Sequence, residues 1–179
     1  GDRQGAKDAV RETWHHARFS QSGQQRFRRK HHVFLDQADH WRRLDRFLWL
    51  GASRPARAMM PLVSSSRRKL AEARIRLRAM SGGVDGAIKR VPIKLMSDPG
   101  LIYERLRWRH RKGLKDEALE LLWDIPNDLE FRSIWWKERS RQVRYALDNG
   151  RHEDAYLLAA SHIQRSGGTF AEAQWHAGW

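Results

Sequence analysis

Residues Leu106 to Ile125 read Leu-Arg-Trp-Arg-His-Arg-Lys-Gly-Leu-Lys-Asp-Glu-Ala-Leu-Glu-Leu-Leu-Trp-Asp-Ile. A basic amphipathic segment runs into Gly113, and apolar residues then fall at Ala118, Leu121, Leu122 and Ile125. Their spacings of 3, 1 and 3 follow the turn of a helix rather than the alternation of a strand. Gly113 stands where the first helix needs a residue that tolerates positive φ, so that the chain can reverse. The stretch predicts a helical hairpin.

The same layout recurs around Gly51, Gly82, Gly113 and Gly150, at separations of 31, 31 and 37 residues. An alanine follows each glycine by five residues: Ala56, Ala87, Ala118 and Ala155. An aliphatic residue precedes each by seven: Leu44, Ile75, Leu106 and Val143. A small side chain in the return helix lets it approach its partner closely, and a helix pair per period is the mark of a solenoid. The expected fold is therefore all-α, a right-handed superhelix (α-solenoid) of antiparallel helix pairs. The period is near that of tetratricopeptide repeats, although their Trp, Leu-Gly and Tyr signature is missing. A non-repetitive helical bundle is the alternative.

Around these anchors, residues 1–9 read as a polar, disordered leader and residues 10–179 as one helical domain. Ser20-Gln21-Ser22-Gly23 has turn composition. Asp36, Ser53 and Ser64 are N-cap candidates, and Asp98-Pro99 places proline at a first helical position. Pro61, Pro92 and Pro126-Asn127-Asp128 are breakers. A longer helix is expected over Phe131–Leu147, a return helix through Ala155, Leu158, His162 and Ile163, and a capping box at Thr169 and Glu172. The last apolar helix meets no stop signal before Trp179, which predicts a chain cut short.

The formal charge is +14, from 35 Lys and Arg against 21 Asp and Glu. That excess points to a polyanionic or carboxylate-rich partner: nucleic acid, or a carboxylate-bearing wall polymer. A solvated basic surface is the plain alternative. No apolar run is long enough to span a membrane, and the absence of cysteine removes disulfide and thiolate chemistry. No helix-turn-helix, RNA-recognition or zinc-finger pattern accompanies the charge, so no nucleic-acid partner is expected.

Candidate chemistry is sparse. His15-His16, His31-His32 and the Asp36/His40 pair lack the three or four converging ligands a metal needs, and read as surface or cap residues. Glu117/Glu120 and Glu153/Asp154 sit in first helical turns, where they complement the helix dipole. No phosphate loop or nucleophile elbow occurs, and no cofactor is implied. The alternation Arg105, Arg107, Arg109, Arg111, Lys112 spreads charge around a helix and builds no single stripe. Arg105 and Arg109 remain candidates for contacting anions. Trp135 and Trp136 are candidates for stacking on a sugar, because adjacent helix positions cannot both face one core.

Three blocks carry a family resemblance. The first is Ala38-Asp39-His40-Trp41-Arg42-Arg43-Leu44-Asp45-Arg46-Phe47-Leu48-Trp49 with Met60-Pro61-Leu62-Val63. The second is Asp98-Pro99-Gly100-Leu101-Ile102-Tyr103-Glu104-Arg105 with Trp108 and Arg109. The third joins Trp135-Trp136, Glu138-Arg139, Gly150-Arg151, Ala155-Tyr156 and Phe170-Ala171-Glu172-Ala173-Gln174-Trp175 through Gly178-Trp179. In order and spacing they resemble the superhelical domain of soluble lytic murein transglycosylases of alphaproteobacterial type, from about Val10 onward. The resemblance implies a periplasmic protein whose partners are peptidoglycan and the parent's own lysozyme-like catalytic domain. That parent would cleave the bond between N-acetylmuramic acid and N-acetylglucosamine, leaving 1,6-anhydromuramyl ends. The family's Glu-Ser pair and Gly-Leu-Met-Gln motif are missing here, so no catalytic residue carries over. A helical-repeat interaction domain without wall chemistry is the second reading, and a basic nucleic-acid binder the third.

Overall fold

The structure, a computed structural model, describes residues 2–123, 125, 132–162 and 164–178, with the backbone alone at Arg132 and Ser133. The described residues form eleven α-helices and no strand. The chain divides into two compact units, Gly1–Leu95 and Met96–Trp179. The expected Pro126-Asn127-Asp128 breaker, Phe131, Ile163 and Trp179 lie outside the described residues.

The first unit holds α1 (Arg3–His16), α2 (Gln21–His31), α3 (Gln37–Trp49), α4 (Ser53–Met59), α5 (Ser65–Arg78) and α6 (Val84–Lys89). Where a leader was expected, α1 already begins at Arg3, because Asp2 caps it by accepting the Gly5 N–H at 2.8 Å. The turn expected at Ser20–Gly23 is instead the start of α2, with Ser20 as its N-cap. Asp36 caps α3 in a full capping box with Asp39. Ser64 caps α5 as expected, whereas Ser53 lies inside α4 and caps nothing. Trp14, Leu44, Leu48, Ala56, Met59, Val63, Ala71 and Ile75 form the core. Burying one such leucine side chain contributes roughly 1.5–3 kcal/mol.

The second unit holds α7 (Pro99–Arg111), α8 (Lys115–Trp123), α9 (Arg132–Asp148), α10 (His152–Ala160) and α11 (Gly168–Gly178). Asp98 caps α7 by accepting the Leu101 N–H at 3.0 Å, with Pro99 in the first turn. Helix α9 is the centre, packing against α7 and α8 and also against α10 and α11. The capping box expected at Thr169 is not formed. Thr169 sits within α11 and its hydroxyl donates to Gln164 Oε1 at 3.0 Å, while Glu172 is drawn to α9.

All eight repeat positions are buried: Leu44, Ile75, Leu106 and Val143 before the corners, and Ala56, Ala87, Ala118 and Ala155 after them. At three corners a left-handed glycine makes the reversal. At Gly113 (φ +76°) the Leu114 N–H bonds to the Arg109 carbonyl and the Gly113 N–H to that of His110. Both bonds satisfy carbonyls that the helix end leaves open. Gly51 and Gly150 repeat it. The fourth corner makes the same two bonds without a glycine. Its left-handed residue is Met80 (φ 54°), with Ser81 bonded back to Arg76 and Met80 to Leu77. Gly82 follows the reversal and does not make it; Gly83 takes the second positive φ, as the N-cap of α6.

Candidate functional site

Helix α7 presents Tyr103, Arg107 and Arg111 at intervals of four, which sets them on one face. Helix α9 presents Lys137, Arg141, Arg144 and Asp148 at intervals of four, three and four. These two stripes line a groove of about 710 Å³ within the second unit, together with His110, Lys115 and Glu138. Arg107, Arg111, Lys115, Lys137, Arg141 and Arg144 face two carboxylates, Glu138 and Asp148, so the groove carries a positive excess.

Glu138 organises it. Its side chain is 2% exposed, and its Oε2 accepts the His110 Nδ1–H at 3.0 Å. Arg141 Nη1 lies 2.9 Å from both of its oxygens, and Arg107 Nε lies 3.8 Å from Oε1. Arg107 also donates to Glu104 at 3.3 Å. Burial pushes the Glu138 carboxyl up, but the His110 hydrogen bond and the Arg141 charge outweigh it and hold it below the usual carboxylate range. A general acid needs the opposite shift. Glu138 is therefore an ionised anchor for the cations around it, and the groove keeps a net positive charge. Among the described residues, no three His, Asp or Glu are grouped to hold a metal ion.

The sequence candidates fall beside this groove. Arg105 and Arg109 do not line it. Arg105 is half-buried, its guanidinium pushed down by burial and then by Arg109. Arg109 donates to the Glu117 carbonyl in α8, which ties the helix pair together. Trp135 and Trp136 are each 2% exposed, so neither offers a ring face to a sugar. Trp135 meets Tyr103 edge-on at 5.3 Å, and the Trp136 Nε1–H donates to Glu172 at 2.8 Å. Adjacent positions can both be buried because α9 has neighbours on two sides.

Arg107, Arg111, Lys137, Arg141 and Arg144 were missed as a set. Their signal was the i, i+4 register on α7 and α9. The alternating arginines of α7 spread charge around the helix, yet Arg107 and Arg111 share the face of Tyr103.

The histidine pairs do not converge either. His15 Nε2 is 2.9 Å from Asp39 Oδ1, and the His40 ring packs against Trp14 at 5.5 Å. Glu117, Glu120 and Glu153 are exposed, and Asp154 accepts from Arg151 Nε at 2.7 Å. Among the described residues, no helix is long and apolar enough to cross a membrane. No protein-family model, curated protein or solved structure matches the chain.

Proposed function

We propose that this chain is a superhelical scaffold from a periplasmic lytic transglycosylase, non-catalytic itself, that holds peptidoglycan near the parent's catalytic domain. One observation carries the reading: eight repeat positions around four helix corners are all buried, as a stack of helix pairs requires. The resemblance blocks support it, because they supply structural positions. The first forms most of α3, including Asp39 of its capping box, the second the cap and core face of α7, and the third the buried centre of α9. The α7–α9 groove fits the substrate class. Its guanidinium and ammonium groups suit the carboxylates of murein stem peptides, with Arg pairing them in two-pronged fashion.

Binding of the chain to purified murein sacculi, followed across salt concentration beside binding to duplex DNA, tests the role. Retention on sacculi with weak DNA binding is expected. Tight DNA binding with a steep salt dependence and no retention on sacculi would overturn it. The parent gene offers a second check: the Glu-Ser pair and the Gly-Leu-Met-Gln motif are expected downstream of the Trp179 codon, and their absence defeats the enzyme assignment.

A further inference from the structure

The first unit contains a second groove, of about 700 Å³, between the α1–α2 connection and the end of the α3–α4 pair. Arg18, Arg43, Arg46 and Arg54 line it, and no aspartate or glutamate does. Four acids of this unit pair with other arginines. Asp36 and Asp39 hold Arg11, Asp45 holds Arg74, and Glu72 holds Arg57 and Arg76. Arg18 and Arg54 are exposed and make no hydrogen bond or ion pair to any described residue. A cleft that gathers four guanidinium groups without a carboxylate keeps a positive potential focused by its low-dielectric walls.

Arg43 sharpens the point. It is 1% exposed, and a buried charge is ordinarily paired. Here it lies 4.8–5.0 Å from the rings of Trp14, Phe19 and Phe47. Its nitrogens donate to the Trp14 and Ala17 carbonyls and twice to Gln24 Oε1. Those four bonds leave one of the five guanidinium N–H groups without an acceptor. Burial lowers its pKa to about 10, the direction expected of a cation held without an anion. Apart from Gln21 and Gln24, the remaining walls are apolar, among them Phe19, Phe47, Pro55, Ala58 and Leu50, the last 60% exposed.

From this geometry we infer that the groove is a binding site for a carboxylate joined to an apolar body. The carboxylate is held by Arg18 and Arg54 over the buried Arg43, and the apolar part lies on Phe19, Phe47 and Leu50. Fatty acids and the C-terminal ends of apolar peptides share this chemistry. The site stands on the groove alone and does not depend on the role proposed for the whole chain.

Isothermal titration of the whole chain with decanoate and with acetyl-Leu-Phe, each beside its neutral amide, tests it. At least one carboxylate binds tenfold or more tightly than its amide, and which one binds identifies the source. The R18Q/R54Q double variant, whose side chains have no structural partner, weakens that binding tenfold or more with an unchanged melting temperature. The R68Q/K69Q variant, with the same charge loss at exposed positions of α5, leaves it within twofold. Binding of neither carboxylate, equal binding of acid and amide, or equal weakening in the two variants would overturn the site.

Discussion

Gln142 Nε2 stands 2.6 Å from His110 Nε2, on the side of the imidazole away from Glu138. The same amide nitrogen donates to the Lys115 carbonyl at 3.2 Å, which fixes it as the donor toward the ring. His110 must therefore accept at Nε2 and carry its proton on Nδ1, donating to Glu138. Three helices thus meet at one polar chain inside the second unit.

That chain predicts a tautomer. The ¹⁵N shifts of His110 at neutral pH should report the Nδ1–H form, and Q142A should lower stability by about 1–2 kcal/mol, the usual cost of orphaning a buried hydrogen-bonding group. An Nε2–H signature would contradict the arrangement.

Removing the carboxylate should cost more. E138L leaves Arg107, Arg141 and the His110 N–H facing a buried apolar side chain. Arg141 is half exposed and Arg107 keeps Glu104, so the cost is that of orphaning buried hydrogen-bonding groups, about 1–3 kcal/mol. Urea unfolding of the variant measures it, and a loss below about 1 kcal/mol would show that Glu138 does not anchor the groove.

The corners give a sharper contrast. G113A should lose about 1–2 kcal/mol, because its φ of +76° crowds any Cβ against the backbone. G82A should be neutral within about 0.5 kcal/mol, since a Cβ there meets nothing within 4 Å and no positive φ is required. M80G relieves a left-handed non-glycine and should gain up to about 1 kcal/mol. Gly51 carries a further constraint: a Cβ would come within 2.7 Å of the Arg78 guanidinium, which donates to the Leu48 carbonyl at 3.0 Å. Thermal melts of the variants rank these costs.

Stability should fall as pH drops below about 6.5. Burial lowers the pKa of His15, His40, His162 and His176 below the ordinary 6.5, and at His15 it outweighs the opposing Asp39 hydrogen bond. As pH falls through 6.5 the unfolded chain takes up protons that the folded chain still refuses, so unfolding gains. A second loss comes at lower pH, from Glu138 and from Asp36. The Asp39 backbone N–H, ahead of opposing burial, keeps the Asp36 carboxyl below its ordinary 3.8. Both contribute stability above their unfolded values that disappears as pH drops through their folded ones. Urea midpoints between about pH 2 and 8 should decline in two phases, the histidine one below about 6.5 and the carboxylate one below about 4.5; a flat profile from pH 7 to 5 would refute the histidine part.

Much of the local structure could be read from residues alone. Asp36, Ser64 and Asp98 cap because short oxygen side chains reach the first open N–H groups of a helix, a relation that spans three residues. The buried partners of each corner were readable for a similar reason. Helical period sets the positions seven before and five after the three glycine corners on one recurring face of their helices, while at the fourth corner Ile75 and Ala87 lie five before and seven after Met80 and are buried all the same.

Long-range choices were not readable. Local preference points to Gly82 rather than Met80 as the reversing residue, because a left-handed methionine costs strain that glycine avoids, yet the chain turns at Met80. Trp135 and Trp136 looked divided between core and solvent until α9 proved to have neighbours on both sides. The α7 arginines show the limit most plainly. The composition and spacing determined that this chain is helical, basic and built from reversing pairs. Only the tertiary structure decided that Arg107 and Arg111 meet α9 in a groove while Arg109 ties α7 to α8, since the role of a cation on a helix is set by which neighbour covers its face.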